Sequence, residues 1–236
     1  MCTVSYIPGK DAVYITSNRD EKNSRKQAIP PIEYEFPTGM IIFPKDANAG
    51  GSWIALHENG NVAVLLNGAF EKHISNPPYK RSRGHIFIEI ISVKRPVDYF
   101  NRFDFSGIEP FTMIIIEKKD LFECRWDGQI NHCRQLRKSR HYIWSSATLY
   151  DKEVTKRREN WFAAFLNRTP LPSPNDIIHF HRTTGDGDTQ NNLLMNRDGL
   201  YATVSITSVT LYKEEGDMKY VDLKDNKEYM RKIKFN

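Results

Sequence analysis

The segment SWIALHENGNVAVLLN, residues 52–67, constrains the fold more than any other stretch of this chain. Two β-rich runs flank Asn59-Gly60, a pair that supplies the positive φ angles a tight turn needs. The segment therefore reads as a hairpin, and much of the remaining sequence repeats that design. TVSYIP (3–8) and AVYITSN (12–18) are separated by the turn signal GKD. FTMIIIE, LFECRWD and INHCRQL, between 111 and 136, read as a meander of strands, and HYIWSSA (141–147) as another. GLYATVSITSVTLY and MKYVDL close the chain as a hairpin around EEGD. Helical patterning interrupts the strands. RGHIFIEIISVK puts Ile86, Ile90 and Val93 on one helical face, and PVDYFNRF extends or follows it. KEVTKRRENWFAAFLN (152–167) predicts a longer helix, and SPNDIIHFH a short one opened by Ser173-Pro174. Strands, helix, strands, helices, strands is an α+β order with mainly antiparallel sheets. Two facing sheets with helices on their outer sides would make four layers.

No internal repeat or low-complexity linker divides the 236 residues, so 1–236 is read as a single domain. No apolar run approaches the ~20 residues of a membrane span, and no basic-then-apolar leader opens the chain. The expected location is cytoplasmic. Three cysteines, Cys2, Cys124 and Cys133, do not make a secreted disulfide framework. Cys124 and Cys133 flank a hairpin and could face each other across it; two reduced thiols are the expectation. The net charge of +5 comes largely from YKRSRGH, LRKSRH and TKRREN. No nucleic-acid-binding motif accompanies these clusters, so no nucleic acid partner is expected. A solvated basic face fits them, and so does an anionic small-molecule ligand. The oligomeric state is not legible.

Cys2 stands directly behind Met1. A thiolate attacks carbonyl carbon, and an ordinary thiol with pKa ~8.5 needs a base or a cation beside it. A cysteine freed at the N-terminus carries its own base, an α-amine of pKa ~7.7. The small side chain at position 2 suits removal of Met1. If 3–8 and 12–18 pair, the far end of the second strand returns beside Cys2, bringing Arg19 and Asp20 with it. Arg19 could favour the thiolate and orient an anionic group, and Asp20 could accept a hydrogen bond from the new ammonium. A polar loop ending a strand is the plain alternative for Asn18-Arg19-Asp20-Glu21. Asn67 ends its strand before Gly68, where a carboxamide could donate to an oxyanion; it is equally a turn asparagine.

The opening MC, the SNRDE at 17–21 and GGSWIAL…GNVAVLLNG together resemble the NRDE family, which includes the transport and Golgi organisation protein 2 homologues. RSRGHIFIEII resembles the helix that follows in that family. The match is clear over about 1–95, and weaker at YIWSSATLY, KRREN and LYATVSITSV. The family is similar in turn to N-terminal nucleophile hydrolases of the bile salt hydrolase and penicillin V acylase group. That resemblance implies a four-layer αββα sandwich of two mainly antiparallel sheets. It also implies Cys2 as nucleophile, Arg19 and Asp20 beside it, and Asn67 as an oxyanion donor. Asn18, Ser146 and Arg157 are the candidate substrate contacts. Where those hydrolases carry a second site asparagine and a late arginine, this chain has Ser146 and Val204. A serine still donates one hydrogen bond, whereas a valine is no cation; Arg157 or Arg158 could fill that gap.

Other features point to no cofactor. His179 and His181 share a side only in an extended chain, and the calcium-loop pattern fails after Asp188, so no metal site is expected and both histidines read as polar loop residues. TTGDGDTQNN reads as a surface loop. Trp53, Trp144 and Trp161 read as core or cleft-wall aromatics. Two functions remain open: an N-terminal cysteine hydrolase of linear amide bonds, or a non-catalytic carrier or trafficking protein for haem or a lipid-like molecule.

Overall fold

A computed structural model describes residues 3–236. The elements in chain order are β1 (Thr3–Pro8), β2 (Val13–Lys22), β3 (Ile29–Phe36), β4 (Gly39–Lys45), β5 (Ile54–His57) and β6 (Val62–Asn67). Helices α1 (Arg83–Ile91) and α2 (Pro96–Arg102) follow, then β7 (Phe111–Glu117), β8 (Asp120–Trp126), β9 (Asn131–Leu136) and β10 (Tyr142–Ser145). The chain ends with α3 (Lys152–Arg168), α4 (Pro174–Thr183), β11 (Asn196–Arg197), β12 (Tyr201–Leu211), β13 (Glu215–Asp222) and β14 (Lys227–Lys234).

Two antiparallel sheets result. One runs β10-β1-β2-β12-β13-β14, with β11 on β12, and the other runs from β3 to β9 in sequence order. Helices α3 and α4 pack on the first sheet, and α1 and α2 on the second, giving the four-layer αββα sandwich. The predicted hairpins form with the expected partners: Thr3 opposite Asn18, Ile54 opposite Val64, Ser205 opposite Asp222. Residues 29–45 form a β3–β4 hairpin that carries no expectation above. β3 contains Pro30 and Pro31, which lack ladder donors, and it lies at the sheet edge with a register shift between Ile29 and Ile32. Nor does the chain close on the β12–β13 hairpin as expected: a third strand, β14, pairs with β13, and its alternating charged side chains hid it as a strand while discouraging further pairing at that edge.

Period-two alternation assigns the faces of β1. Val4 and Tyr6 join the large core between the sheets, with Ile15, Ile42, Val64, Met113 and Tyr220. Ile7 points the other way, into the layer with Phe162, Phe165, Ile177 and Phe180 of α3 and α4. A ten-residue helix is marginal alone, so α4 depends on that packing and on its capping box, Ser173 with Asp176. Cys124 and Cys133 face each other in the β8–β9 register and are joined as a disulfide, in place of the expected free thiols.

The loop 46–53 is clamped to the start of α1 by two glycines. A Cβ on Gly51 would lie 2.6 Å from the Gly84 carbonyl carbon, and Ser52 N donates to Gly84 O at 3.3 Å. Gly51→Ala is expected to cost about 1–3 kcal/mol through overpacking. Urea unfolding reads this; an unchanged midpoint would contradict it.

Candidate functional site

β2 carries Asn18, Arg19 and Asp20 in alternation, so neighbours face opposite layers. Arg19 turns inward between the sheets and is nearly fully buried. Its Nη2 donates to Asp46 Oδ2 at 2.5 Å, and its guanidinium lies 4.5 Å over the Trp53 ring. Burial alone would raise the Asp46 carboxyl. The Ala49 amide, Arg19 and Arg25 outweigh that and hold it below the ordinary carboxylate range. Asp20 turns to the helical side. Its Oδ2 accepts from the Tyr150 hydroxyl at 2.8 Å and its Oδ1 from Thr203 Oγ1 at 2.5 Å. Asn67 ends β6 half-buried, and its carboxamide makes no hydrogen bond among the described residues.

Arg19, Asp20 and Asn67 line one cleft of about 350 Å³, walled also by Trp53, Arg83 and Tyr201. The cleft opens at the end where β1 begins. Cys2 lies outside the described residues; its sequence neighbour Thr3 pairs with both Asn18 and Ser145. A second cleft of about 1050 Å³ adjoins the first, sharing Thr148, Leu149 and Tyr201 and lined further by Phe70, Trp144 and Tyr150. Trp53 and Trp144 are thus cleft-wall residues, and Trp161 packs on the core beneath α3.

Three further candidates do not border the small cleft. Ser146 is fully buried; its hydroxyl bonds the Asn67 carbonyl and Thr148 Oγ1, each at 2.9 Å. It secures the strand end that presents Asn67. Asn18 is also fully buried, and Arg157 is engaged on the surface by Asp186 and Asp188. Val204 is buried. Of the two candidate arginines of α3, Arg158 is the buried one. It is 0% exposed, donates to Thr3 Oγ1 at 2.6 Å and to the Asn191 and Asn192 carbonyls, and sits 3.6 Å over the Tyr150 ring. No ion pair to Arg158 occurs among the described residues. The tract 183–192 lies on the surface as expected, and Arg157 and Arg158 tie it to α3.

His179 and His181 sit in α4, not in a polar loop, and no metal-holding group of His, Cys, Asp or Glu occurs among the described residues. His181 is fully buried between Ser5 Oγ and Asn18 Oδ1, each at 2.7 Å. Asn18 Nδ2 donates to the His181 and Leu193 carbonyls, which leaves Oδ1 as the acceptor. His181 Nδ1 therefore carries the proton and Nε2 accepts from Ser5. Burial and then the Arg158 charge push this imidazole down to about 3. The unfolded chain binds a proton below about 6.5 that the folded one refuses until pH 3. Stability is then expected to fall by roughly 1 kcal/mol per pH unit as pH drops through that window. Comparing urea midpoints of His181→Gln and the wild type at pH 7 and 5 checks this; equal slopes would contradict it.

Sequence reasoning missed Asp46, Tyr150 and Thr203. Asp46 had a local signal only as a turn residue, since its Oδ1 accepts from the Asn48 and Ala49 amides. Tyr150 and Thr203 had none, because their partner is Asp20, 130 and 183 residues away.

The model of a family described as Transport and Golgi organisation 2 matches residues 1–222. No curated protein matches the chain. Among solved structures, the Caenorhabditis elegans N-acylethanolamine-hydrolyzing acid amidase ortholog is similar at TM-score 0.57 and 12% identity, covering 88% of this chain and 92% of its own. Two variants of the conjugated bile acid hydrolase from Clostridium perfringens are similar at TM-score 0.53, with 9% and 8% identity, each covering 100% of this chain and 97% of its own. At such identities the likeness concerns the fold, that of N-terminal nucleophile hydrolases.

Proposed function

This chain belongs to the Transport and Golgi organisation 2 family, and from that premise we propose that it is an N-terminal cysteine hydrolase acting on a linear carbon–nitrogen amide bond of a small molecule. The observation that carries the reading is the meeting of Arg19, Asp20 and Asn67 on one cleft, at the strand end that Cys2 adjoins in sequence.

On this reading Met1 is removed and the freed α-amine takes the Cys2 thiol proton. The sulfur bonds to the substrate carbonyl carbon, and the Asn67 carboxamide donates to the oxyanion that forms. The ammonium returns its proton to the leaving nitrogen, the carbon–nitrogen bond breaks, and a thioester remains. Water then attacks the thioester, releasing the acid and restoring the thiol. Asp20, already held by Tyr150 and Thr203, accepts from the ammonium and fixes its direction. Arg19 shares its charge with Asp46, so its part is to orient an anionic substrate group.

Intact mass and thiol labelling test this together. Loss of Met1, with labelling at pH 7 faster than an ordinary cysteine and abolished by Cys2→Ala, is the expected result. A retained Met1 with slow labelling would overturn it.

The size of the adjoining 1050 Å³ cleft favours a second reading, a carrier for a lipid-like molecule. The same cleft suits haem poorly. Among the described residues its lining offers no His, Cys or Met as an axial ligand; of its two tyrosines, the Tyr150 hydroxyl is engaged by Asp20, which leaves Tyr201 alone as a candidate. Haem titration without a saturable Soret shift is expected.

A further inference from the structure

The far end of the sandwich holds a second, unrelated cavity. Strands β2 and β12 each run from the candidate site, at Asp20 and Tyr201, to this end, at Val13 and Leu211. Ten residue steps of β12 put roughly 34 Å between the two places. The cavity measures about 750 Å³, in the ~300–1,000 Å³ range of small-molecule sites. Its floor is apolar: Tyr6, Val13, Ile116, Leu121, Leu211 and Phe235.

Its rim is cationic. Lys10, Lys118, Lys119, Lys138 and Lys213 border the cavity, against Asp11 and Asp120. Lys138 pairs with Asp120 at 2.9 Å and Lys213 reaches Glu214 at 4.0 Å. Lys10, Lys118 and Lys119 have no ion-pair partner among the described residues.

The backbone adds an independent observation. Glu117 pairs with Asp120, so Lys118 and Lys119 are the whole β7–β8 turn, and their φ angles are +51° and +68°. A two-residue turn with both residues left-handed calls for Asn-Gly or Asp-Gly. Two lysines there oppose local preference, and such departures persist where something other than turn stability selects them.

We propose that this cavity binds a small anionic amphiphile: an apolar chain on the floor, with a carboxylate held by the ammonium groups of Lys118 and Lys119 and, beside them, Lys10. Apolar burial supplies the affinity, and the charged rim selects the acid over a neutral analogue. The site is separate from the proposed hydrolytic cleft and does not depend on that reading.

The test is a fluorescence titration of the full chain with dansyl-undecanoate, with laurate and lauryl alcohol as competitors. Saturable binding is expected, with laurate competing at least tenfold better than the alcohol. Lys118→Asn/Lys119→Gly should weaken binding about tenfold while the melting temperature holds or rises, because that pair suits the turn. Leu211→Trp should fill the floor and abolish binding, and Asp20→Asn should leave it unchanged. No saturable signal, equal competition by the alcohol, or indifference to both the turn and the floor variants would overturn the proposal. So would loss of binding in Asp20→Asn, which would put the probe in the other cleft. Vesicles containing phosphatidylserine, expected not to sediment the protein, separate a free acid from a bilayer; sedimentation without laurate binding would also overturn it.

Discussion

Asp20→Asn is expected to slow amide hydrolysis by about 10²- to 10⁴-fold, the usual range for disabling proton transfer at a reacting centre. The substitution keeps the size of the side chain and removes its charge. Asp20 now accepts from both Tyr150 and Thr203. An asparagine has one acceptor oxygen, so its amide nitrogen either donates to one of those hydroxyls, which then loses its acceptor, or faces the ammonium as donor against donor. Cys2 labelling at pH 7 should slow at least tenfold with it. The structural cost is smaller, about 1–3 kcal/mol for one mispaired buried group. Labelling at the wild-type rate would remove Asp20 from the mechanism, whatever the effect on stability.

Arg158→Met is expected to lower the free energy of unfolding by about 2–4 kcal/mol. Two effects oppose each other. Removing a buried cation relieves its desolvation, and methionine restores much of the apolar stem. Against this, Thr3 Oγ1 and the carbonyls of Asn191 and Asn192 lose their donor, and the guanidinium leaves the Tyr150 ring. The orphaned groups win because Thr3 is fully buried and cannot turn to water. Arg158→Lys should recover only part of the loss, since one ammonium cannot span three acceptors with the fixed geometry of a guanidinium. Urea unfolding at pH 7 reads both variants; a methionine variant as stable as the wild type would contradict the account. Because Arg158 joins β1, Tyr150 and the 191–192 segment, the same variant should loosen the Asp20 side of the cleft and slow Cys2 labelling.

The hairpins and helices legible in the sequence rest on local physics. The Asn59-Gly60 turn needed only backbone freedom, though Gly60 alone takes the positive φ, +82°, expected of both residues; the Ser173 cap needed only the amide three residues on. The β3–β4 hairpin escaped notice because Pro30 and Pro31 mask a strand unless it is known to lie at an edge. The histidines elude local pattern for a related reason. Spacing describes His179 and His181 against each other, yet what governs His181 is Ser5 and Asn18, on the other side of a layer boundary.

For the candidate site, the β1–β2 hairpin was enough to bring the Arg19-Asp20 end of one strand back to the start of the other. Resemblance added Asn67, whose strand lies in the second sheet and which no local pattern ties to β2. Ser146 and Arg157 share sequence neighbourhoods with residues that matter, but one is buried behind Asn67 and the other held by surface aspartates. Alternation along a strand determined that Arg19 and Asp20 face opposite ways. Only the tertiary structure decided what each one meets: Asp46 and Trp53 between the sheets, Tyr150 and Thr203 under the helices. The physical reason is that a two-residue period specifies a face, while the groups covering that face arrive from distant segments through the packing of whole layers.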